Sequence, residues 1–232
     1  MKDINLANRE FEVLEAVIRQ YLKTGEPVGS KILEKKSVPL SSSMIRHYFF
    51  DLTQQGFLEQ PHTSSGRLPT DKAWHVFLEK ILLNENIFDE IENRFFAEIE
   101  NLTIARRRFS LKKITDWLSE RSKTFSFCYW DQTDDLSKSG LKYLLEPEGE
   151  WEKIAKGIEE IDEKIKNLKI QSNDQKVFVF IGQDNPFFET ADISVMIAPF
   201  DQDDGLIGLA GPKRMLCEDN ITLLHTARNL IK

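Results

Sequence analysis

The residues of this chain best suited to chemistry are hydrogen-bond donors gathered in two neighbouring stretches. SSSMIRHYFF at 41–50 and PHTSSGRLPT at 61–70 supply Ser42, Ser43, Arg46, His47, Phe50, His62, Thr63, Ser64, Ser65, Gly66 and Arg67. Small and hydrogen-bonding side chains near the start of a helix can reach base edges in a major groove, and Arg46 can pair with guanine or a phosphate. A run such as Thr63–Gly66 is small enough for its backbone to approach a phosphate closely, and Arg67 carries the charge that such a tip inserts beside a minor groove. A solvated helix face is the competing reading of the first stretch, and that helix alone does not separate the two.

Other chemistry finds little support. Cys128 and Cys217 lie far apart, with neither a CxxC nor metal-ligand spacing. Asp201, Asp203 and Asp204 in PFDQDDG could bind calcium, but the spacing fails the EF-hand pattern and reads as a solvated hairpin loop. GLIGLAG lacks the Lys-Ser/Thr of a phosphate loop and reads as a strand. His225 falls within a helical pattern as a surface or packing histidine. With no Ser/His/Asp, Cys/His or metal-spaced set, the expectation is a protein that is not an enzyme and needs no cofactor or metal.

The elements that position the two stretches are regular. Phe11, Leu14, Val17, Ile18, Tyr21 and Leu22 form one helical stripe, stopped by TGEPVGS. GSKILEKKS gives a short second helix, with Ser30 as its cap and Ile32 and Leu33 inward. After VPLS comes the third helix, capped by Ser41 or Ser42 and closed by Gly56, with Met44, Ile45, Tyr48, Phe49 and Leu52 packing on the first two. Two helices joined by a tight turn follow the helix-turn-helix plan. Phe57 and Leu58 then enter a strand, the polar tip follows, and Leu68 returns before Pro69 and Thr70 start a helix with Trp74, Phe77, Leu78 and Ile81 at core spacing. That is a two-stranded wing.

Charge separates the halves. The net charge is −7, yet residues 1–80 hold 11 Lys and Arg against 10 Asp and Glu, and the remainder holds 20 against 28. Phosphate binding is therefore permitted at the N-terminal end and disfavoured elsewhere. With 41% hydrophobic residues the chain can fill packed cores. No apolar run approaches the roughly 18 to 20 residues that cross a bilayer, and the first residues lack a signal peptide's blocks, so a globular protein of the cytoplasm, without membrane association, is expected.

In the second half, Ile87, Ile91, Phe95, Ile99 and Leu102 mark a long amphipathic helix, and Arg106, Arg107 and Arg108 read either as phosphate contacts or as a solvated helix end. A helix over about 110–122 leads to the strand TFSFCYW. Trp151, Ile154, Ile158, Ile161, Ile165 and Leu168 then define a helix suited to a sheet or to the same helix of a partner. VFVFIG, DISVMIAPF and GLIGLAGP read as strands, and a closing helix turns Met215, Ile221, Leu224, Ala227 and Ile231 inward. The result is α+β, divided as 1–83, a linker helix at 84–109, and 110–232.

Three stretches, TGEPVGSKIL, LSSSMIRHYFFDLTQQGFLEQPHTSSGRLPTDKAW, and FIGQDNPFFE with GLIGLAGPKRM, resemble the HrcA-type heat-inducible transcription repressors of bacteria. His47 stands where that family usually has asparagine, Phe50 where a small residue is common, and Ser65 for alanine. Trp74 and His75 stand where an aromatic residue and then arginine are usual. The resemblance implies an N-terminal winged helix-turn-helix, a long linker helix, and a C-terminal GAF-like α+β domain with a reduced or absent inserted dimerisation subdomain. It also implies a homodimer that represses chaperone genes at an inverted-repeat operator in double-stranded DNA, controlled by the availability of a chaperonin. The alternative is a winged-helix regulator responding to a small molecule bound in the GAF-type domain.

Overall fold

Three helix ends in the first 82 residues, at Ser41, Gly56 and Thr70, are set by identifiable caps, and these fix where the neighbouring surface residues stand. In the computed structural model, residues 6, 8–82, 111–145, 150–168, 170, 177–200 and 204–231 are described. They divide into two compact units, Met1–Leu83 and Asn84–Lys232. The expected linker helix, with Ile87, Ile91, Phe95, Ile99, Leu102 and the three arginines, lies outside the described residues, as do Asp201 and Asp203.

The first unit opens with α1 (Asn8–Thr24), which buries Val13, Leu14, Val17 and Ile18. Then come α2 (Ser30–Lys36), α3 (Ser42–Gln54), β1 (Leu58–Glu59), β2 (Leu68–Pro69) and α4 (Asp71–Leu82). Ser41 caps α3, its Oγ accepting from the Met44 N–H at 3.3 Å. At the other end Gly56, at φ +77°, takes the left-handed position that lets its N–H reach the Thr53 carbonyl at 3.0 Å and the Phe57 N–H reach Leu52 at 2.8 Å. This paired closure turns the chain directly into β1. Thr70 caps α4, its Oγ1 accepting from the Ala73 N–H at 3.4 Å. Trp74, fully buried, packs edge-on against Tyr21 and Phe77 with ring centroids 6.2 and 6.1 Å away.

The second unit is built on a five-stranded antiparallel sheet of order β4-β3-β7-β6-β5. Its elements are α5 (Leu111–Ser122), β3 (Phe125–Trp130), β4 (Asp135–Ser139), α6 (Trp151–Asn167), β5 (Phe178–Phe180), β6 (Ile193–Phe200), β7 (Gly205–Pro212) and α7 (Glu218–Ile231). Alternation along the strands sorts side chains to two faces. Phe125, Phe127, Tyr129, Ile193, Val195 and Ile197 form one core with Ile154, Ile161 and Ile165 of α6. The opposite face is more polar: the Ser126 hydroxyl donates to the Thr115 carbonyl of α5 at 2.6 Å, and Ser137 pairs with the Thr115 hydroxyl at 2.9 Å.

Several expectations change. DLSKS at 135–139, a polar stretch with no strand-like apolar alternation, forms the edge strand β4, because its buried Ser137 finds a hydroxyl partner and Asp135 and Lys138 face solvent. Trp151, expected inward, is 39% exposed at the first turn of α6. Ser30 caps nothing: Gly29 is the N-cap residue of α2, and the Ser30 hydroxyl pairs with that of Ser42 at 2.8 Å.

Candidate nucleic-acid interface

The third helix divides its residues by angle. Ile45, Phe49 and Leu52 are buried, and on the outer side Ser43, Arg46, His47 and Phe50 are exposed. Phe50 is 59% exposed, a large apolar ring held in water by the helix alone. Met44, expected in the core, is 44% exposed because it sits about 100° around the helix from Ile45. Ile32 stands in the same relation to buried Leu33 and is 38% exposed. His47 Nε2 lies 3.6 Å from a carboxylate oxygen of Asp51, one turn on, so protonation of the imidazole would make an ion pair along this face.

Ser42 behaves differently from its neighbours. Half-buried, it receives the Ser30 contact, its N–H donates to Glu34 Oε1 at 2.9 Å, and Arg46 Nη1 reaches its Oγ at 3.4 Å. The side chain expected to read DNA therefore joins α2 to α3 and leans Arg46 along the helix. Glu34, absent from the expected site, serves the same junction.

The hairpin is narrow at its base and organised at its tip. Leu58 pairs with Pro69 and Glu59 with Leu68. Between them Gln60 Nε2 donates to the carbonyls of Thr63 at 2.9 Å and Ser65 at 3.0 Å. Ser65 Oγ accepts from the His62 N–H at 3.0 Å and donates to the His62 carbonyl at 2.6 Å. Its hydroxyl is thus turned inward to brace the loop, leaving His62, Thr63 and Ser64 exposed. Gln60 escaped the sequence reading because glutamine has no strong turn signature; its place at the loop base is the only clue.

Gly66 and Arg67 acquire a different explanation from the expected one. A Cβ at position 66 would lie 2.5 Å from the carbonyl carbon and oxygen of Val28 and 2.6 Å from the Pro27 carbonyl carbon. Glycine is required here by the close crossing of two backbones of the same chain. Beside it Arg67 and Val28 exchange both N–H···O bonds at 2.9 Å. The Arg67 guanidinium carbon lies 5.9 Å from the Phe49 ring centroid, over its face, and its Nε is buried with no hydrogen-bond partner. Burial lowers its pKa from the usual value, and a guanidinium remains charged at neutral pH all the same. Arg67 therefore anchors the hairpin base to α3, and the tip's own exposed groups are His62, Thr63 and Ser64.

The thiols stay inert. Cys128 is fully buried and Cys217 partly so, and burial pushes both pKa values upward, away from the reactive thiolate.

A family model described as the HrcA protein C terminal domain matches residues 75–219. The chain belongs to the HrcA family. Similar proteins include the heat-inducible transcription repressor HrcA of Fusobacterium nucleatum subsp. nucleatum, 30% identical over 229 residues that cover 88% of this chain and 62% of that protein. The HrcA of Clostridium perfringens is 36% identical over 117 residues, covering 50% of this chain and 34% of the relative. The chain thus spans less than two thirds of the length of these HrcA relatives. A crystal structure of a hypothetical protein shares the fold, with a TM-score of 0.70, 16% identity and 97% of each chain covered. The HrcA relatives carry the name of a transcription repressor, not of an enzyme.

Proposed function

We propose that this HrcA-family chain is a heat-inducible transcription repressor. Its first unit, a winged helix-turn-helix, binds an inverted-repeat operator in double-stranded DNA. The observation that carries this reading is the outer face of α3: Ser43, Arg46, His47 and Phe50 are held out in solvent by a helix whose opposite side is packed. In a major groove Arg46 pairs with guanine or a phosphate, His47 offers a donor or acceptor, and Phe50 packs on a thymine methyl. The braced tip His62–Ser64 supplies hydroxyl, imidazole and backbone donors to the sugar-phosphate backbone, where positioning contacts are made. Ser42, Ser65, Gly66 and Arg67 hold these surfaces in place.

One such unit makes few base contacts, and a homodimer doubles them on a palindrome. The second unit, a GAF-like domain in this reading, is the dimerisation and regulatory part. Control by a chaperonin and residence in the cytoplasm rest on the family resemblance; no helix among the described residues is long and apolar enough to cross a membrane.

The test is DNA binding as a function of salt. A dimer neutralising about six to ten phosphates should lose about 10³ to 10⁵ in affinity between 50 and 200 mM salt. Binding to no palindromic duplex even at low salt would remove the proposal. Within it, Arg46→Ala should cost about 1–3 kcal/mol at one operator position if it reads guanine, and His47→Asn should shift base preference more than total affinity.

The second reading, a regulator responding to a small molecule, is favoured by one observation: the second unit carries an open cleft of about 750 Å³ whose lining mixes apolar side chains with four cationic ones.

A further inference from the structure

That cleft lies where the end of α5, the start of β3, the turn Leu141–Leu144 and the start of α7 meet. Its charged lining residues are Arg121, Lys123, Lys142 and Arg214 against a single carboxylate, Asp219. The excess of cations is local, since residues 81–232 carry 20 basic against 28 acidic side chains. A concave surface lined by one sign of charge concentrates the opposite ion.

Two features show that the lysines are held at this corner by the fold. Lys123 has φ +54°, a left-handed backbone that residues with a Cβ adopt at a cost and that glycine or asparagine would occupy more easily. A lysine kept in so unfavourable a conformation invites a functional reason. On the other side, Gly140 at φ +76° lets the Leu141–Leu144 turn press onto α5, since a Cβ there would lie 1.8 Å from Ser119 Oγ and 2.6 Å from the Thr124 carbonyl oxygen. The corner beneath is tied by Ser119 Oγ to that carbonyl at 2.9 Å and by the Ser122 and Thr124 hydroxyls at 2.6 Å. As a result the Lys142 and Lys123 ammonium groups sit 4.9 and 6.0 Å from the ring centroid of one residue, Tyr143.

We infer that this cleft binds a small phosphate-bearing ligand of nucleotide size, with the Lys123 and Lys142 ammonium groups on its phosphate oxygens. Lysine ammonium groups act as compact point charges that bind phosphate oxygens well. The volume exceeds what inorganic phosphate fills and lies in the range of clefts that enclose a small organic molecule. The site is independent of the DNA-binding reading of the first unit.

Titration calorimetry of the full chain with pyrophosphate and with adenosine triphosphate, at constant ionic strength, tests this. Saturable binding is expected for at least one probe, weakened about tenfold by Lys123→Asn and likewise by Lys142→Ala. Asparagine tolerates the left-handed backbone, so Lys123→Asn should keep or raise the melting temperature while losing the ligand, which a purely structural lysine would not do. No saturable heat with either probe, or an affinity in both variants equal to that of the parent chain, overturns the inference. A parallel arm uses duplex DNA: unchanged duplex binding in both variants supports a free ligand. Loss of duplex binding with probe binding intact would assign these lysines to nucleic acid and overturn it.

Discussion

Two antiparallel hairpins in this chain are held by opposite means. The β1–β2 hairpin has strands of two residues each, and its order comes from side chains bonded to backbone: Gln60 and Ser65 tie the tip, and Thr70 Oγ1 donates to the Gly56 carbonyl at 2.7 Å. The β6–β7 hairpin has strands of eight residues each, and all but Pro212 are buried. There aromatic rings occupy the space that glycine leaves: Phe200 lies over Gly205 and Phe127 over Gly208. The tip of such a hairpin as β1–β2 has no core to pack against, so it must satisfy its polar groups internally. One meant to be covered is specified by shape.

The largest effect expected from this contrast is at Gly66, the one place where the exposed hairpin depends on steric fit. Gly66→Ala drives a methyl into the Val28 and Pro27 backbone, which has no rotamer to yield, and should cost about 3 kcal/mol in the first unit. Hydrogen exchange is the sensitive readout, because the paired amides of Val28 and Arg67 should lose protection together. Undiminished protection at both would mean that the two segments part without strain. In the second hairpin, Gly208→Ala meets Phe127 Cζ at 2.2 Å and the Met196 carbonyl oxygen at 2.8 Å. Phe127 is fully buried and fixed edge-on to Phe187, centroids 5.3 Å apart, so a cost of about 2 kcal/mol in urea unfolding is expected. Adding Phe127→Leu should recover part of it if the clash is the cause; additive losses would locate the strain at the Met196 carbonyl.

The same contrast separates what the sequence discloses from what it conceals. The Ser41 cap, the Gly56 closure, the Thr70 cap and the buried Trp74 follow from local rules, because each depends on residues within one turn or one helix stripe. Gly66 is visible as a glycine, but its reason is not, since the backbone it touches belongs to Pro27 and Val28 far earlier in the chain. The role of Arg67 hides in the same way: its charge suggests a phosphate, and only the position of Phe49 makes it an anchor. Strand β4 is concealed by its polarity, because a buried serine is recognisable only once its partner Thr115 is in place. Ile32 and Met44 fail for a simpler reason: an apolar residue next to an inward one lies 100° away, and a short helix has no core for both.

Ser65→Ala sharpens the comparison with the smallest change. Alanine keeps the Cβ of serine, so the backbone accepts the substitution, and the bond from the Ser65 N–H to the His62 carbonyl at 2.9 Å is retained. What disappears is the hydroxyl that accepts from the His62 N–H and donates to its carbonyl; the N–H then turns to water, while the carbonyl keeps the Ser65 N–H. Because the loop is solvated, no buried group is orphaned, and about 1 kcal/mol or less should be lost. If the exposed hairpin is held by side-chain to backbone bonds, that loss must appear locally: faster amide exchange at His62–Ser65, unchanged protection of the Val28–Arg67 pair, and a melting temperature within about a degree of the parent. Operator affinity should fall only slightly, through the ordering of the tip that binding then has to supply. Loosening that spread to the Val28–Arg67 pair would mean that tip and base form a single cooperative unit, and the distinction between the two hairpins would then lie in packing alone.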